Sequence, residues 1–82
     1  MELSPELIEE IHILTLFSPE SSQSGIKVHH HTARPEAVSA VERLFEKGLL
    51  THRDGGYLTS AGQIASEHVQ AMLASLQVPA NS

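Results

Sequence analysis

Apolar residues recur at helical spacing in three stretches of the chain, and between the second and third the period changes to that of strands. Leu7, Ile8, Ile11, Leu14 and Phe17 form the first stripe, which predicts a helix over about residues 5–17. Ser4-Pro5-Glu6 supplies a side-chain acceptor, a proline and an acid in the order that starts a helix. Ser18-Pro19 ends it, and the polar stretch to Gly25 reads as a loop. Ile26-Lys27-Val28 predicts a short strand over about residues 26–30.

A second start lies at Arg34-Pro35-Glu36, with Thr32 or Arg34 near the cap. Ala37, Val38, Val41, Leu44 and Phe45 make one stripe, opposite Glu36, Ser39, Arg43, Glu46 and Lys47. Gly48 sits where a helix closes on a left-handed residue. Leu49-Leu50-Thr51-His52 and Tyr57-Leu58-Thr59 flank Arg53-Asp54-Gly55-Gly56, and Asp54-Gly55 between two short apolar runs is a strong hairpin signal. Thr59 or Ser60 then caps a third helix reaching Leu76. The expected fold class is α+β, mainly helical: three helices, a short hairpin and a third short strand. Residues 1–78 are expected to form one domain, and 79–82 a tail.

With 82 residues there is room for a single core. Phe17, Phe45 and Tyr57 are the only aromatics, so that core rests on aliphatic packing. No cysteine is present, which excludes disulfides and thiolate metal sites. The acidic start lacks the pattern of a secretory signal, and no apolar run matches a membrane span, so a cytoplasmic location without membrane partners is expected.

Charge changes the picture. The net value is −5, yet all five cations (Lys27, Arg34, Arg43, Lys47, Arg53) fall between residues 27 and 53. That stretch carries +2, the first 26 residues −5 and the last 29 residues −2. Such segregation offsets the objection that an acidic protein should not bind phosphate.

Helix, Lys-Gly-Leu-Leu, hairpin, Tyr-Leu-Thr, helix is an order that resembles a winged helix, through Val38, Val41, Leu44, Phe45, Gly48 and Leu50 for the recognition helix and Arg53–Thr59 for the wing. The stretches Leu3-Ser4-Pro5-Glu6-Leu7, Gly25-Ile26-Lys27-Val28-His29-His30 and Asp54-Gly55-Gly56-Tyr57-Leu58-Thr59 also resemble a small family of uncharacterised gammaproteobacterial proteins described as DNA-binding. The resemblance implies a helix-turn-helix protein of transcription regulation that reads double-stranded DNA. One departure is that residues 25–33 replace the helix that normally packs across the start of the recognition helix.

On physical grounds Lys27, Arg34, Ser39, Arg43, Lys47 and Arg53 are the candidate nucleic-acid contacts, with guanidinium groups on guanine edges or phosphates. That reading requires the cations to meet on a common exposed patch. The mixed charge of residues 36–47 equally suits a protein partner, which makes a protein-interaction module on a degenerate winged scaffold the alternative. His29, His31 and His52 are candidate metal ligands only if the strands align them, and an unligated surface cluster is the plainer reading. No catalytic motif is present, so neither an enzyme, a small-molecule substrate nor a cofactor is expected. The first and last helices are apolar on more than one side, which points to a homodimer through them.

Overall fold

The computed structural model describes residues 2–17, 26–27 and 34–77. Its elements are α1 (Pro5–Thr15), β1 (Ile26–Lys27), α2 (Pro35–Glu46), β2 (Leu50–His52), β3 (Gly55–Leu58) and α3 (Ser60–Leu76). This is the expected mainly helical α+β arrangement, winged-helix-like, with the third strand present. The tail and His29–His31 lie outside the described residues.

Local chemistry explains the helix ends. The Ser4 hydroxyl accepts from the Leu7 amide at 3.1 Å, with Pro5 at the first helical position. Helix α1 stops at Thr15, two residues short of the predicted end, while Phe17 is buried just beyond it. Arg34 caps α2 through backbone geometry alone and makes no side-chain cap bond. At the other end of α2, Gly48 adopts φ +79°. The Gly48 and Leu49 amides donate to the Phe45 and Leu44 carbonyls at 3.0 and 2.9 Å, a Schellman closure that sends the chain into β2. Thr59 caps α3 by accepting from the Gly62 amide at 3.0 Å, and donates to the Gly48 carbonyl at 2.6 Å, so one side chain ties the third helix to the end of the second.

The sheet order is β1-β3-β2, antiparallel throughout. Leu50 pairs with Leu58 and His52 with Gly55, a register shift that places a bulge in the hairpin. Ile13, Leu14 and Phe17, Ala40, Val41 and Leu44, and Leu50 form the buried core. Ala65 and Val69 of α3 pack on its flank. Gly62 is where α3 crosses closest: a Cβ there would collide with the Leu49 carbonyl oxygen, so no larger residue fits without moving the helix. The Ser66 hydroxyl donates to the Leu14 carbonyl at 3.4 Å and so joins α3 to α1.

Candidate nucleic-acid interface

Arg34, Ser39, Arg43 and Lys47 lie along α2 and its two caps and Arg53 in the hairpin turn, and α1 lies along the same border. Glu9 and Glu10 occupy the side of α1 that faces α2. Arg34 donates through Nη2 to Glu9 Oε2 at 2.6 Å, and its Nη1 lies 3.8 Å from Glu36 Oε2. Arg43 donates through Nε to Glu10 Oε2 at 2.8 Å and through Nη2 to the Glu6 carbonyl at 3.2 Å. Lys47 donates through Nζ to the other Glu10 oxygen, Oε1. Both oxygens of one carboxylate are thus held by cations from the next helix.

Glu10 is only 5% exposed although it is charged. Burial pushes its carboxyl up, but the hydrogen bonds from Lys47 and Arg43, and their charges, outweigh burial and hold it below the ordinary carboxylate range. The sequence carried a signal for this. Glu10 stands three and four residues before Ile13 and Leu14 and seven before Phe17, so it occupies a position of the core-facing stripe. A carboxylate there needs cationic partners, and the basic helix supplies them.

Arg53 is placed apart from the other three. Its guanidinium carbon lies 5.0 Å from the centroid of the Phe45 ring, and Nη1 is 3.7 Å from Glu46 Oε2. Ser39 is exposed and lines an open hollow of about 420 Å³ together with Pro5, Glu6, Glu9, Pro35, Glu36 and Arg43. Lys27 belongs to β1, and its side chain lies outside the described residues. Arg34, Arg43, Lys47 and Arg53 therefore face Glu9, Glu36, Glu10 and Glu46 within 4.0 Å, four cations against four carboxylates.

Of the metal candidates only His52 is described: its Nδ1 lies 2.8 Å from the Thr51 hydroxyl, which also accepts from the Tyr57 amide at 2.9 Å. Among the described residues no group of three or more His, Cys, Asp or Glu is placed to hold a metal ion, and no helix is long and apolar enough to cross a membrane.

A family model matches residues 1–77, nearly the whole chain, and its description is a family of unknown function, DUF5669. The chain belongs to that family. No curated protein and no solved structure matches it.

Proposed function

We propose that the chain is a protein-interaction module built on a winged-helix-like scaffold. The observation that carries this reading is the Glu10 carboxylate held between Arg43 and Lys47. Affinity for a phosphate backbone comes largely from cations that release condensed counterions. Arg43 and Lys47 share the one Glu10 carboxylate and so keep a single net positive charge between them, and moving both to a phosphate leaves a buried carboxylate without partners. Glu9 and Glu36 on the same border repel phosphate as well. What remains exposed is a polar surface of mixed sign, suited to a partner with both charges.

A second reading, a DNA-binding protein of transcription regulation akin to the gammaproteobacterial proteins it resembles, is favoured by the placement of α2 before a hairpin with Arg53 near its tip. It uses Lys27, Arg34, Ser39, Arg43, Lys47 and Arg53, and a dimer doubles the patch.

Titration of a labelled random duplex by fluorescence anisotropy, at low and at moderate salt, separates the two. For the interaction module, the wild-type protein shows no affinity tighter than about 10⁻⁴ M even at low salt, the weak end of non-specific DNA binding. Glu9→Gln combined with Glu10→Gln frees the cations and raises affinity. Tight wild-type binding with a steep salt slope, lost in Arg43→Ala with Arg53→Ala, establishes DNA binding and overturns the first reading.

A further inference from the structure

Helix α3 packs Ala65 and Val69 against the core, and leaves Ala61, Ile64, His68, Met72 and Ser75 exposed on its other side. These positions advance by three and four residues, the spacing of a coiled-coil seam. Ile64 is 56% exposed and Met72 44%, large values for apolar side chains in mid-helix. Glu67 is the one acidic residue of α3, which has no lysine or arginine, and it stands beside the seam rather than on it.

The seam reads alike in both directions. Helix α3 runs from Ser60 to Leu76, so His68 is its midpoint, with Ile64 four residues before it and Met72 four after. Ala61 and Ser75, both small, stand seven residues to either side. A surface with this symmetry complements a second copy of itself.

We infer that two copies of the chain pair through α3, antiparallel, about a two-fold axis at His68. The axis sets Ile64 against the partner's Met72, and Ala61 against the partner's Ser75, so large meets large only where small meets small on either side. Antiparallel pairing also opposes the two helix dipoles favourably. The inference rests on the interaction-module reading and names its partner.

The contact is small. Two 17-residue helices overlap over about 25 Å, which places the interface near or below the roughly 1,200 Å² at the low end of stable complexes. The dimer therefore dissociates on dilution.

Sedimentation velocity from micromolar to millimolar protein tests this. The wild-type chain shifts from monomer to dimer with concentration. Ile64→Glu, Met72→Glu and His68→Lys each raise the dissociation constant by at least about tenfold, while circular dichroism keeps its helical signal. Ile8→Glu, on α1, leaves the dimer intact. A monomer throughout, or a dimer broken by Ile8→Glu but not by Ile64→Glu, overturns the inference. The register is tested separately, because the chain has no cysteine of its own. Ile64→Cys mixed with Met72→Cys forms a disulfide-linked dimer on mild oxidation, and Ile64→Cys alone does not. Efficient self-linkage of Ile64→Cys overturns the antiparallel pairing. The DNA titration above judges the interaction-module reading without reference to any of these outcomes.

Discussion

The border between α1 and α2 and the outer face of α3 reverse the usual placement of residue types. At the first, a carboxylate is buried among Ile13, Leu14 and Phe17 and is held by two cations from the neighbouring helix. At the second, Ile64, Met72 and Leu76 face outward, the last 72% exposed. A charged stretch here is an internal joint, and an apolar stretch is a surface. Counting charges along the chain locates the basic segment but does not say whether it faces solvent or another helix.

The contrast can be broken in several places. Glu10→Ala has the largest expected effect, because it removes the partner of two cations at once. Loss of a fully buried partner costs about 3–5 kcal/mol. Arg43 and Lys47 are partly solvated, so the loss in urea unfolding should be nearer ~2–3 kcal/mol.

Gly62→Ala comes next. The helix propensity gained, about 1 kcal/mol, is outweighed by displacement of α3 from the Leu49 carbonyl, for a net loss of roughly 1–2 kcal/mol. A gain in stability would show that the joint between α3 and the Leu49 carbonyl yields freely.

Acid supplies the third test. The Glu10 carboxyl is held low in the folded chain, so its contribution is complete above the unfolded glutamate value of about 4.3 and is lost as pH falls through the lower folded value. Stability measured against pH should therefore decline more steeply below that value in wild type than in Glu10→Gln.

Smaller still is Arg53→Ala, which removes the contact with Phe45 and Glu46 at an exposed site and costs about 0.5–1 kcal/mol. Smallest is Ile64→Glu. Measured on the dilute monomer, it changes unfolding stability by no more than about 0.5 kcal/mol, the range of ordinary surface substitutions. A larger loss would place Ile64 inside the fold.

Most of the architecture was legible in the chain, because it is written in local signals. Ser4-Pro5, Gly48 and Thr59 each act through bonds within a few residues and each marks the start or end it predicts, whereas the hairpin turns at Arg53-Asp54, one residue before the predicted Asp54-Gly55, with Gly55 already in β3. The candidate interface was legible only in part. Arg34, Arg43 and Lys47 are gathered along α2 as the sequence suggests, but their partners, Glu9 and Glu10, are some 25 to 37 residues away. That pairing depends on how α1 crosses α2, which no local rule fixes. The misplaced Glu10 in the apolar stripe was the one residue that announced it.

The claim that the cations of α2 are held within the domain is tested most directly by a double-mutant cycle between Glu10→Gln and Arg43→Gln, followed by urea unfolding. A coupling energy above about 1 kcal/mol is predicted for groups in such a network. Additive losses, with no coupling beyond error, would mean that Arg43 does not hold Glu10 and is free for a phosphate.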